Sequence, residues 1–162
     1  SDKLILDLRV NPGGYLDAAV NIASWFLPSG KIVVTEDYNA EGKEKVHRSY
    51  GYDIFTDKLK MVILVDGGSA SASEILAGAL SEYGVAKLVG EQTFGKGSVQ
   101  ELVDVTDDTA LKITIAQWLT PNGTSISKEG LKPDYEVEFT EKDLEDDRDP
   151  QMEKAVEIIN SL

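Results

Sequence analysis

The chain has 162 residues, 41% hydrophobic and 28% charged, which suits a single globular domain with enough apolar content for a core. Sixteen Lys+Arg against 29 Asp+Glu leave a formal net charge of -13, which argues against nucleic acid or an anionic membrane surface as a partner. The absence of cysteine removes disulfides, thiolate nucleophiles and thiolate metal sites.

No apolar run approaches the ~20 residues that span a bilayer. The chain opens Ser1-Asp2-Lys3, without an initiator methionine or a secretory leader, and runs straight into Leu4-Ile5-Leu6-Asp7-Leu8, so it reads as a piece excised from a longer protein. Residues 3–9 are expected to form a buried strand, stopped by the turn Asn11-Pro12-Gly13-Gly14. Leu16, Ala19, Val20, Ala23 and Phe26 then recur at helical spacing until Pro28-Ser29-Gly30. Residues 31–38 and 45–50 read as two strands of an exposed hairpin around Asn39-Ala40-Glu41-Gly42, and 51–60 as irregular.

The unit repeats with Lys60-Met61-Val62-Ile63-Leu64-Val65, an apolar strand of the kind covered on both faces in a parallel sheet. Gly67-Gly68 turns it into Ser69-Ala70-Ser71-Ala72-Ser73-Glu74, and a helix follows with Ile75, Leu76, Ala79, Leu80 and Tyr83 on one face. Residues 86–89, the stretch carrying Val99, Val103 and Val105, and residues 110–119 read as further strands, with Leu111, Ile113, Ile115 and Leu119 as core candidates. Pro121-Asn122-Gly123 is a turn, 126–134 a loop, and 135–139 a last strand. The acidic run 141–149 is a solvated approach to an amphipathic helix with Met152, Ala155, Val156, Ile159 and Leu162. The expected division is a core over 1–140 and an acidic connection with closing helix over 141–162.

Chemistry concentrates at two places. A serine at the start of the second helix lies where backbone N–H groups lack intrahelical partners and the helix dipole favours negative charge, a setting for an oxyanion. Ser71-Ala72-Ser73-Glu74 also matches a capping box, and composition does not distinguish serines 69, 71 and 73. The only histidine, His47, falls in a surface strand and reads as structural, so a Ser-His-Asp arrangement has little support. Lys96, between Gly95 and Gly97, is the alternative base, because burial disfavours the ammonium form. Gln100, four residues on along a strand, would share its face and hold the amine. Gly90-x4-Gly95-Lys96 approaches a P-loop but lacks the following Ser/Thr and helix. Gly67-Gly68-Ser69-Ala70-Ser71 lacks the closing glycine of a GxSxG nucleophile elbow. No metal-ligand cluster is present, so no metal or other cofactor is expected.

Taken together, LILDLRVNPGG, VDGGSASASEILAGAL, VGEQTFGKGSVQ and GLKPD closely resemble the carboxy-terminal processing peptidases, or tail-specific proteases, over nearly the whole chain. The resemblance implies an α/β fold of the ClpP/crotonase-like kind, built of stacked strand-helix units in one domain. It implies a Ser/Lys dyad with Ser71 as nucleophile, Lys96 as base and Gln100 as helper, an oxyanion hole from the N–H groups of Gly14 and Ala72, and an accessory role for Glu82. It further implies a protein or peptide substrate with apolar C-terminal residues, a PDZ domain elsewhere in the full-length chain, and a place in the bacterial cell envelope. A non-catalytic binding module of the same fold and a crotonase-like acyl-CoA enzyme are the alternatives.

Overall fold

A computed structural model describes residues 2–39, 42–52, 54–55, 58–127 and 129–162, so the tip of the 39–42 hairpin lies partly outside it. Two sheets form. One is parallel, in the order β1 (Lys3–Asp7), β4 (Lys60–Val65), β5 (Ala86–Gly90) and β8 (Tyr135–Glu136). The other is antiparallel, in the order β3 (Glu44–Arg48), β2 (Ile32–Asp37), β7 (Thr109–Leu119) and β6 (Ser98–Thr106). Helices α1 (Leu16–Ala23) and α2 (Ala72–Glu82) lie between the sheets. The chain closes with α3 (Glu141–Glu145) and α4 (Pro150–Ser161).

The strand β4 is apolar throughout because both of its faces are covered. Met61, Ile63 and Val65 point into a core that also holds Ala19, Val20, Ile75, Leu76, Ala79 and Leu80, with Val33, Val34 and Trp118 closing it from the second sheet. Val62 and Leu64 point the other way, onto Ala155, Ile158 and Ile159 of α4. The order is therefore α4, parallel sheet, α1 and α2, antiparallel sheet. Every residue of α2 from Ala72 to Leu80 is buried, as expected of a helix built from small and apolar side chains and enclosed on all sides. Gly78 lets Thr120 and Leu131 approach, since a Cβ there would meet both at 3.4 Å.

Three expectations are corrected. The acidic connection contains a one-turn helix, α3, capped by Thr140, and Asp149 caps α4 by accepting the Met152 N–H at 2.9 Å. The buried stripe of α4 runs through Gln151, Ala155, Ile158 and Ile159, leaving Val156 and Leu162 exposed. The outer half of the β6–β7 hairpin projects beyond the helices, so Leu111 is 53% and Leu102 65% exposed, and Ile113 is exposed as well. The residues of β7 that do reach the core are Ala116 and Trp118, of the opposite parity to Leu111, Ile113, Ile115 and Leu119, so alternation alone picked the wrong face.

Arg9 ties the end of β1 to α4. Its guanidinium donates to Asp7 (2.7 Å), to both Asp149 oxygens (2.9 Å each) and to Gln151 Oε1 (3.1 Å). The Arg9 hydrogen bonds hold Asp7 and Asp149 below the usual aspartate range against the opposing effect of burial. A carboxylate with a depressed pKa contributes stability above its unfolded value, about 3.9, and loses it as pH falls through the lower folded value. Melting temperature should therefore drop through this acid window, and Arg9→Gln should flatten that part of the profile in thermal denaturation from pH 7 to pH 2.

Candidate active site

The turn between β4 and α2 separates the three candidate serines. Ser69 is 1% exposed and its hydroxyl donates to Leu8 O at 2.7 Å, so it joins the β1 and β4 loops. Ser73 is buried in the first turn of α2. Ser71, half-buried, sits at φ 57°, ψ -117°, outside even the left-handed helical region open to asparagine and glycine. Such a backbone costs on the order of 1–3 kcal/mol and is kept only where surrounding contacts over-determine it. The strand-to-helix turn is strained at its serine as in a GxSxG elbow, but without the closing glycine of that motif.

The opposing wall is the NPGG turn. Gly13 has φ +91°, and a Cβ there would lie 2.5 Å from Ala70 O and 2.7 Å from Ala72 N, so the turn presses against the Ser71 backbone. Asn11 fixes it, accepting the Ala70 N–H through its carbonyl at 3.0 Å and the Gly13 N–H through Oδ1 at 3.0 Å. Gly14 and Ala72 line one small pocket, and among the described residues neither backbone N–H has an acceptor. That pocket, about 170 Å³, is walled by Leu8, Ala18, Ala19, Ile22 and Leu76. Val10, just ahead of the turn, is a β-branched residue at φ 53° and is 78% exposed; its N–H donates to Asp66 Oδ1 at 2.9 Å.

Glu74 joins this turn to the lysine loop. Its carboxylate is fully buried. Oε1 accepts from Thr93 Oγ1 (2.6 Å) and Gly95 N (2.7 Å), while Oε2 accepts from Ser71 N (2.8 Å) and Lys96 N (3.0 Å). The Ser71 hydroxyl stands over the Glu74 N–H as in a capping box without closing a well-formed hydrogen bond to it. Phe94 N donates to Ser69 O at 3.0 Å, and Thr93 exchanges hydrogen bonds with the backbone of Leu131. Gly97 packs so closely on Ser127 that a Cβ would fall 2.2 Å from its nitrogen. The loop 93–97 is thus held at its backbone from both sides, and strand β6 follows it where a P-loop would have a helix.

The expected residues are brought together unequally. Ser71, Gly14, Ala72 and the Lys96 backbone meet. The Lys96 side chain is exposed and, among the described residues, makes no hydrogen bond or ion pair. Gln100 is also exposed, and Lys96 lies in the loop before β6 begins at Ser98, so strand parity does not put the two side chains on one face. Glu82 lies at the far end of α2, about 16 Å along the helix from Ser71, where it accepts the Asn122 N–H at 2.8 Å. His47 is half-buried against Trp118 and its Nε2 lies 2.6 Å from Glu36 Oε1. Burial pushes the Glu36 carboxyl up, but hydrogen bonds from Tyr38 and His47 and the charge of Lys45 outweigh it and hold it below the usual range. Sequence reasoning missed Thr93 and took Glu74 only for a cap. The signal was present, since Glu74 is the one charged residue inside the stretch that becomes the buried part of α2.

Two substitutions test this geometry by thermal denaturation. Val10→Asn should stabilise the fold by about 1 kcal/mol, because asparagine tolerates positive φ far better than a β-branched residue. Gly13→Ala should destabilise it by more than about 2 kcal/mol, because the added methyl group meets backbone in a strained conformation.

The model of Peptidase family S41 matches residues 1–137. A carboxy-terminal-processing protease of Bartonella bacilliformis is 45% identical over 141 residues, covering 85% of this chain and 32% of that protein. A carboxyl-terminal-processing protease of Synechocystis is 46% identical over 138 residues, covering 85% and 31%. Among solved structures, the photosystem II D1 C-terminal processing protease superposes with a TM-score of 0.77 at 36% identity, covering 85% of this chain and 35% of that one. The chain therefore spans about a third of the length of these relatives. Its mixed α/β fold is theirs, and the chain belongs to Peptidase family S41, the carboxy-terminal processing serine proteases.

Proposed function

We propose that this chain carries the catalytic centre of an endopeptidase that uses a Ser71/Lys96 dyad to cleave proteins near their C-termini. The observation that carries the reading is the strained Ser71 turn, tied through one buried carboxylate to the Lys96 backbone and faced by the free N–H groups of Gly14 and Ala72. Neutral Lys96 takes the Ser71 proton as Oγ attacks the scissile carbonyl carbon, and the oxyanion is received by the Gly14 and Ala72 N–H groups. The Lys96 ammonium then protonates the leaving amine, giving an acyl-enzyme. Water, deprotonated by Lys96, hydrolyses it and releases Ser71.

For this chemistry the Lys96 side chain has to turn from solvent toward Ser71 and be covered, since a solvated ammonium holds its proton. The latched backbone leaves only side-chain torsions to change. Gln100 is the proposed partner of the amine once it turns inward. Glu82, from its place at the Asn122 turn, supports the far end of α2 in this reading.

The pocket beside Gly14 and Ala72 suits a small apolar side chain, and Tyr15, which lines it, stands largely exposed. Both features favour an extended peptide with apolar residues at its C-terminal end. A PDZ domain in the rest of the full-length protein would deliver such tails, and the bacterial cell envelope is the proposed place of action.

Steady-state cleavage of an apolar-tailed peptide by the full-length protein tests the dyad. Ser71→Ala and Lys96→Ala should each lower kcat by at least about a thousandfold with the melting temperature preserved. Retained activity in Ser71→Ala would refute the assignment. So would a pattern in which only Ser69→Ala is inactive while remaining folded.

A further inference from the structure

Glu74 is a buried carboxylate that the dyad mechanism does not use. Its burial would be costly if the group were neutralised by nothing, and it faces no cation among the described residues. It is instead met by four donors, two on each oxygen. Three of the four are backbone amides, which can only donate, and the Thr93 hydroxyl donates to Glu74 while its oxygen accepts the Leu131 N–H. A site with four donors and no acceptor suits the ionised carboxylate, which is acceptor-only.

The distribution between the oxygens matters more than the number. Oε2 alone is shared by Ser71 N and Lys96 N, which confines those two nitrogens to within about 6 Å of each other. Oε1 holds the loop just before the lysine, through Thr93 and Gly95. The Ser71 turn and the 93–97 loop come from different parts of the chain, and among the described residues they are also joined by the backbone hydrogen bond from Phe94 N to Ser69 O. Resting on the Ser/Lys reading above, we propose that Glu74 is the positioning residue of the dyad: its carboxylate sets the distance between the backbones that carry nucleophile and base. It touches neither reacting atom, and acts by fixing both at once.

The test compares Glu74→Gln and Glu74→Leu with the parent full-length protein by kinetics and by amide hydrogen exchange. Glutamine retains one acceptor oxygen, so it should keep one of the two clamps and rescue part of the activity. The expected result is a kcat lower by about tenfold for the glutamine variant and by about a hundredfold or more for the leucine variant, with KM within about threefold of the parent. Exchange at the Gly95 and Lys96 amides should accelerate in the same order. Should the leucine variant fail to fold, Thr93→Val removes one donor only and should speed Gly95 exchange with a severalfold loss of kcat. Unchanged exchange at Gly95 and Lys96, or a KM rise with kcat intact, overturns the proposal. The exchange readout does not depend on which residues do the chemistry, so it separates a failure here from a failure of the dyad, which Ser71→Ala reports.

Discussion

A carboxylate without access to solvent has to be satisfied by donors brought to it, and in this chain the donors that reach Glu74 come from the two loops that carry Ser71 and Lys96. The position of Glu74 follows from α2, which is enclosed between two sheets and so has no exposed side on which a charge could be placed. Helix burial therefore leads to loop docking. The glycines serve the same end, since Gly13 and Gly97 are close-contact points where backbone meets backbone without room for a methyl group.

Strain is concentrated where these constraints converge. Val10 and Ser71 both hold positive φ without being glycine, one on each side of the cleft. Each is held by hydrogen bonds to carboxylates, Val10 by Asp66 and Ser71 by Glu74. The same frame holds Gly14 and Ala72 at one pocket, and fixed backbone donors are the kind that need no reorganisation to stabilise developing negative charge. The Lys96 side chain is the contrasting part, mobile in principle on a fixed backbone.

Much of this was legible in the sequence, for definite reasons. The run Lys60–Val65 and the two glycine turns mark the parallel sheet and its helices because full burial leaves an unbroken apolar stretch. The choice among serines 69, 71 and 73 was not legible from the residues alone, because it depends on backbone angles and on which hydroxyl is already engaged with Leu8. Gln100 was placed by strand parity, and parity holds only within one strand, whereas β6 begins at Ser98, after Lys96. Glu82 was carried over as an acidic residue late in the helix, and there it accepts the Asn122 N–H, a contact between distant parts of the chain that no local pattern announces. Leu111 and Ile113 alternate as core residues do, yet what covers a strand is decided by the rest of the molecule.

The projecting β6–β7 hairpin has a consequence for the behaviour of the chain in solution. Strand β6 is the outermost of its sheet, so its outer backbone groups form a template on which another strand can add. Leu102, Val103 and Val105 make that addition favourable, while Glu101, Asp104 and the bulges at both ends of the strand oppose it. The acidity that first argued against nucleic-acid partners is thus also a guard on an open edge. High salt weakens that guard by screening its carboxylates, and colloidal stability there is governed by a few surface charges.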